Sequence, residues 1–131
     1  MNTTSKTTNK MIQGLGNDIV EISRIRRSIE QYSSHFLDRL FSKNEQDYCN
    51  KFQDTASHYA GRFAAKEAIA KAFGTGFGVA IAWSDIEILP DEFGKPIVTF
   101  SASIQKQFND PTVLISISHC TDHATAVAIW C

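Results

Sequence analysis

Apolar residues return along this chain with two periods, and the change between them divides it into elements. "IQGLGNDIV" from about residue 12 reads as a strand, with Gly14 and Gly16 marking a close backbone approach or a bend. Ile22, Ile25, Ile29 and Tyr32 then recur at helical spacing, which predicts an amphipathic helix over about 22–32. A second apolar cluster, Phe36, Leu37, Leu40 and Phe41, leads into Ser42. Glu45 stands three residues after that serine, the signature of a capping box, and opens a helix through about Phe52. The strongest helical signal runs from about Ala56 to Phe73, rich in alanine, and stops at Gly74. Beyond a flexible "GTGFG" loop, "DIEIL" and "PIVTF" alternate as strands around the turn-forming "PDEFGK", which predicts a hairpin. Residues 101–108 suit a short helix, and "TVLISIS" and "ATAVAIW" close the chain as two more strands.

This order predicts an α+β fold in which one long helix packs across a small antiparallel sheet. Residues 1–10 carry almost nothing apolar and read as a disordered leader, with a single domain over 11–131. Composition narrows the classes further. With 43% hydrophobic and 21% charged residues and a net charge of −1, no global basic field draws the chain to nucleic acid or an anionic membrane. Cys49, Cys120 and Cys131 are odd in number and lack C-x-x-C spacing, which argues against a disulfide framework or a structural zinc site. The longest apolar stretch, Ala124 to Trp130, is too short to span a bilayer, and the start lacks a signal-peptide core. A cytoplasmic setting follows.

Several residues are candidates for chemistry, and each has a bland alternative. Glu67 lies in one i, i+4 row with Phe63 and Lys71, flanked by Ala60, Ala64 and Ala70. A carboxylate among small apolar neighbours needs a cation or donors, yet a plain Glu67–Lys71 surface pair fits the same spacing. Asp18 shares strand parity with Ile12, Val20 and Ile22, and is either a strand-ending turn residue or held for a reason. Two carboxylates with waters and substrate phosphates are the usual way to hold Mg²⁺, but spacing does not say that these two meet. Gly74 and Gly76 could admit a phosphate, or simply cap the helix. His119 ends a strand with no partner fixed by spacing, and nothing marks the neighbouring Cys120 as reactive. Arg24 and Arg27 lie opposite the isoleucine stripe of the first helix, as a solvated face would.

Taken in order, these segments resemble the acyl-carrier-protein synthase group of the 4′-phosphopantetheinyl transferases. "GLGNDIVEISRI" is similar to that family's opening segment and "RLFSKNE" to its F-[ST]-x-x-E box. "GRFAAKEAIAKAFGTGFG" resembles its most specific signature, and "SISHCTDHATAVAI" its closing segment. The resemblance spans Met11 to about Ile129. It implies the transferase fold and the transfer of phosphopantetheine from coenzyme A to a serine of acyl-carrier protein. Adenosine 3′,5′-bisphosphate leaves, and the setting is fatty acid biosynthesis. It implies Asp18 and Glu67 as Mg²⁺ ligands and Lys71 beside the phosphates. Arg62, Lys66, Gly74 and Gly76 belong to the same coenzyme-binding motif, and His119 holds the 3′-phosphate. It further implies Arg24 and Arg27 as the docking site for the acidic helix of the carrier, and a homotrimer with the site between subunits. The acceptor of the serine proton stays open between Glu67 and a metal-bound water. Longer, two-half relatives that modify peptide or polyketide synthase carriers are about twice this length, and a non-catalytic coenzyme-binding module would not need Asp18, Glu67 and Lys71 together.

Overall fold

The structure, a computed structural model, describes residues 11–131; the leader expected over 1–10 lies outside the described residues. Strand β1 spans Gly14–Glu21 and runs directly into helix α1, Ile22–Tyr32. Two short helices follow, α2 at Ser34–Leu40 and α3 at Lys43–Cys49, and then the long helix α4, Thr55–Phe73. A hairpin, β2 (Ile86–Pro90) and β3 (Pro96–Phe100), leads through helix α5 (Ala102–Gln107) to the final strands β4 (Val113–His119) and β5 (His123–Trp130). The strands form two antiparallel sheets, one ordered β1-β5-β4 and the other the β2-β3 hairpin.

Local chemistry explains the boundaries. Ser42 Oγ accepts from Glu45 N at 3.1 Å while Glu45 Oε1 accepts from Ser42 N at 2.8 Å, so the predicted capping box forms. Helix α3 ends at Cys49, short of the expected Phe52. The chain turns there, and Asp54 serves instead as the N-cap of α4, its carboxylate accepting from Ser57 N. At the other end of α4, Gly74 adopts φ 80°, the left-handed conformation that glycine takes without strain.

The α4 helix crosses the three-stranded sheet on a diagonal, and small residues let it lie close. Ala60, Ala64, Ala65, Ala68 and Ala70 are fully buried, facing Ala124, Ala126 and Ala128 of β5 among others. A Cβ on Gly14 would run into the Ala72 carbonyl, and one on Gly16 into the Ala68 carbonyl, so β1 and α4 meet backbone to backbone. At the helix start, a Cβ on Gly61 would press on Ile117 of β4. The helix therefore begins over β4 and ends over β1. Around this layer Ile69, Ile81, Ile86, Ile88 and Ile104 are shut from solvent, each burial worth about 1.5–3 kcal/mol. The opposite face of the sheet is open: Leu15, Ile19, Leu114 and Val127 are 67%, 66%, 54% and 40% exposed.

Candidate active site

Asp18 lies mid-strand, paired with Ala126 of β5, so it does not end a strand in a turn. Strand parity puts it on the helix-facing side with Gly16 and Val20. The contacts of Gly14 and Gly16 with α4 bring the Glu67 and Lys71 turns of the helix to this side chain. Lys71 Nζ donates to Asp18 Oδ1 at 3.0 Å and to the Asn17 carbonyl at 3.0 Å. The lysine thus reaches across to the strand, and the alternative of a simple Glu67–Lys71 surface pair is not formed. Glu67 is half-buried. Burial first, and then the charge of Asp18, raise its pKa above the ordinary glutamate value, while Lys71 and Arg24 pull it down. Two carboxylates from separate elements thus converge with a lysine beside them. No cluster of three or more histidine, cysteine or acidic side chains suited to a metal occurs among the described residues.

A second cleft opens at the start of α4. It is lined by Tyr48 of α3, His58 and Arg62 of α4, Gly94 and Pro96 of the hairpin, and His119 of β4, with no carboxylate among its walls. The hairpin wall is shaped by Asp91, whose Oδ1 accepts from Phe93 N at 2.8 Å and Lys95 N at 2.9 Å. Arg62 is 6% exposed, its guanidinium carbon 4.4 Å from the Tyr48 ring centroid. Its Nε donates to the Ile88 carbonyl, and no acceptor among the described residues meets its Nη atoms. The His119 ring lies 5.8 Å from that of His58. His58 and Glu67 are nine residues apart on one helix, about 13 Å along its axis at 1.5 Å per residue. Within one chain His58, and His119 beside it, therefore stand apart from Glu67.

Three expectations meet a different local geometry. Lys66 is wholly buried, and its ammonium donates to Glu45 Oε1 at 2.8 Å, the Leu40 carbonyl at 2.8 Å and the Trp83 carbonyl at 3.4 Å. With all three protons used, it cannot touch a coenzyme directly. Gly74 N donates to the Ala70 and Lys71 carbonyls and Gly76 N to the Ala70 carbonyl, so both amides are spent on ending the helix rather than on a phosphate. Cys120 is exposed with no basic partner in hydrogen-bond contact among the described residues, and burial pushes the Cys49 thiol up to about 12, which makes it inert. Arg24 and Arg27 are exposed on α1, as expected, whereas Arg26 pairs with Asp54 at 3.3 Å. Sequence reasoning passed over Glu45, Tyr48 and His58. For His58 one signal existed, its i, i+4 spacing from Arg62 on one helix face.

Comparison with known proteins agrees with this architecture. The 4′-phosphopantetheinyl transferase superfamily matches residues 14–128. A holo-[acyl-carrier-protein] synthase of Protochlamydia amoebophila is 54% identical over 120 residues, covering 92% of this chain and 98% of its own. The Chlamydia caviae holo-[acyl-carrier-protein] synthase is 46% identical, covering 88% and 93%. Among solved structures, the Helicobacter pylori holo-[acyl-carrier-protein] synthase in complex with coenzyme A superposes with a TM-score of 0.83. It shares 35% identity, over 89% of this chain and 99% of that one. The Bacillus anthracis synthase in complex with coenzyme A (3′,5′-ADP) gives 0.79 at 36% identity, over 92% and 97%. With an α+β fold, a carboxylate pair against the long helix and a relationship that runs nearly end to end, the chain belongs to the 4′-phosphopantetheinyl transferase superfamily, among its holo-acyl-carrier-protein synthases.

Proposed function

We propose that this enzyme moves the 4′-phosphopantetheine group of coenzyme A to a serine of apo-acyl-carrier protein, releasing adenosine 3′,5′-bisphosphate, as a step of fatty acid biosynthesis in the cytoplasm. The observation that carries the reading is the meeting of Asp18, Glu67 and Lys71 across β1 and α4.

The donor set fits Mg²⁺. Two carboxylates on neighbouring elements, one of them half-buried, call for a cation between them. Mg²⁺ commonly takes one or two carboxylates and fills its other positions with waters and substrate phosphates. When bound, the ion supplies charge neutralisation on the pyrophosphate and its leaving oxygen. Lys71, whose side chain is 53% exposed, adds a point charge for a phosphate oxygen. Glu67, half-buried beside Asp18 and Lys71, is this chain's own group to receive the serine proton. Such chemistry is mainly positioning and electrostatics, and asks for no protein nucleophile.

The carrier docks through Arg24 and Arg27, which present positive charge beside the site to an acidic helix. The enzyme acts as a homotrimer. Supporting this, the open sheet face carries Leu15, Ile19, Leu114 and Val127, an apolar patch of a kind that monomers rarely leave in water. The separation between the His119 cleft and the Asp18–Glu67 pair agrees with a coenzyme shared between neighbouring subunits. No helix among the described residues is long and apolar enough to cross a membrane.

The test is mass spectrometry of an apo-carrier protein incubated with coenzyme A and enzyme. Wild type adds one phosphopantetheinyl group in Mg²⁺ and none in excess chelator. Asp18→Ala and Glu67→Ala each lower the rate by orders of magnitude with the fold intact. Full modification in chelator removes the metal role.

A further inference from the structure

The cleft at the start of α4 holds one basic group that the reading above does not use. His58 packs its ring flat on Phe52, with centroids 3.7 Å apart and planes 6° from parallel, so its orientation is fixed. Its Nδ1 lies 3.2 Å from the Asp54 carbonyl, which selects the tautomer that donates from Nδ1 and leaves Nε2 for the cleft. Across the cleft stands His119, ring to ring at 5.8 Å, and one helical turn on stands Arg62 with its Nη atoms unengaged among the described residues. Two imidazoles and a buried guanidinium face one space that no carboxylate lines. Such a set suits an anion with several acceptor oxygens and more than one negative charge.

We propose that His58 is a direct ligand of the phosphate monoester of coenzyme A, the 3′-phosphate, sharing it with His119 and Arg62 and setting the preference for coenzyme A over its dephosphorylated form. This rests on the reading of the chain as a coenzyme A-dependent transferase whose His119 meets that phosphate. The charged and titratable groups around His58 are consistent with the role. Arg62 lies on its own helix, Tyr48 on α3 and His119 on β4, while the Asp54 carboxylate is turned to Arg26 and Ser57 N and that of Asp91 to Phe93 N and Lys95 N. With both ring nitrogens carrying protons, His58 donates Nδ1–H to the Asp54 carbonyl and Nε2–H to a phosphate oxygen in a charge-assisted hydrogen bond.

The experiment is titration calorimetry of coenzyme A and of 3′-dephospho-coenzyme A into wild type, His58→Phe and His119→Ala. Phenylalanine keeps the flat stack on Phe52, and affinity for the dephospho form serves as the internal control for an intact site. Wild type is expected to prefer coenzyme A. His58→Phe is expected to lose about five- to tenfold in affinity for coenzyme A and to bind the dephospho form as wild type does, the effect of one charge-assisted contact. If His119→Ala loses the preference while His58→Phe keeps all of it, the His58 role is overturned and the phosphate still belongs to the cleft. If neither variant changes the preference, or wild type has none, the phosphate does not bind there and both ideas fall. An equal loss for both ligands in His58→Phe makes the residue structural, which also overturns the proposal.

Discussion

Replacing Lys66 by methionine separates two roles for the most buried cation in the molecule. Both Lys66 and its partner Glu45 have side chains with no solvent exposure. Methionine keeps the length of the stem and deletes the ammonium. Glu45 then remains an anion in the core, held only by Ser42 N at 2.8 Å and Ile88 N at 2.7 Å. The Leu40 carbonyl loses its 2.8 Å donor as well. Removing one partner of a buried pair costs about 3–5 kcal/mol, because the desolvated charge left behind is no longer compensated. Against a total stability of about 5–15 kcal/mol this is a large share. With a urea slope of about 1–3 kcal/mol per molar, the unfolding midpoint falls by about 2 M. The measurement is urea denaturation at one fixed protomer concentration, since the proposed subunit association would contribute to the apparent stability. Lys66→Met combined with Glu45→Gln removes the orphaned charge and should be less damaging than the sum of the single changes, by about 0.5–3 kcal/mol. A Lys66→Met protein with an unmoved midpoint but weakened coenzyme A binding would refute the structural account, and Lys66 would then be the ligand that the resemblance implies.

Three further outcomes follow from the geometry. Burial and Asp18 raise the Glu67 pKa, so folding disfavours its anion, and the stability it contributes falls as pH climbs from the ordinary value, about 4.3, through the folded one. By carbon NMR of the metal-free protein, Asp18→Asn should move the Glu67 midpoint down and Lys71→Met should move it up; an unmoved midpoint in Asp18→Asn denies that the carboxylates interact. Arg24→Glu with Arg27→Glu should raise the apparent KM for carrier protein at least tenfold with that for coenzyme A unchanged, and salt should weaken carrier binding more in wild type than in the variant. A rise confined to coenzyme A would move the arginines to the coenzyme site. Leu15→Glu with Val127→Glu charges the open sheet face and should convert the proposed trimer to monomers in light scattering; a trimer that survives both charges would put the subunit contact elsewhere.

Local signals carried most of the fold. The isoleucine spacing marked α1 at its observed ends, and the Ser42–Glu45 box formed with both of its hydrogen bonds. The hairpin and the closing strand pair also followed from alternation and turn chemistry. What stayed hidden depends on partners distant in sequence. Glu45 reads as an ordinary capping residue, yet its carboxylate also binds Lys66, 21 positions on, and Ile88 N, 43 positions on. Nothing near Lys66 in sequence shows that its ammonium turns inward. The spacing of Glu67 and Lys71 fitted a surface pair, and only the packing of α4 on β1 reveals that the lysine prefers Asp18, 53 residues earlier. His58 faces His119 because a helix start and a strand end meet, which no local period records.

The backbone contact between β1 and α4 bears on how far the carboxylate pair can be adjusted. Where side chains separate a helix from a sheet, a larger or smaller residue can widen or narrow the gap. Here Gly14 and Gly16 lie against the main-chain carbonyls of Ala72 and Ala68, so the gap is already at its floor. Asp18 sits two residues beyond Gly16 and Glu67 one residue before Ala68, so both flank the same contact. Their spacing is therefore fixed by peptide against peptide, and mutation of core side chains can leave it the same or lengthen it but not shorten it. Under the proposed metal role, a variant for a larger cation is within reach of core mutation, and one for a tighter coordination sphere is not.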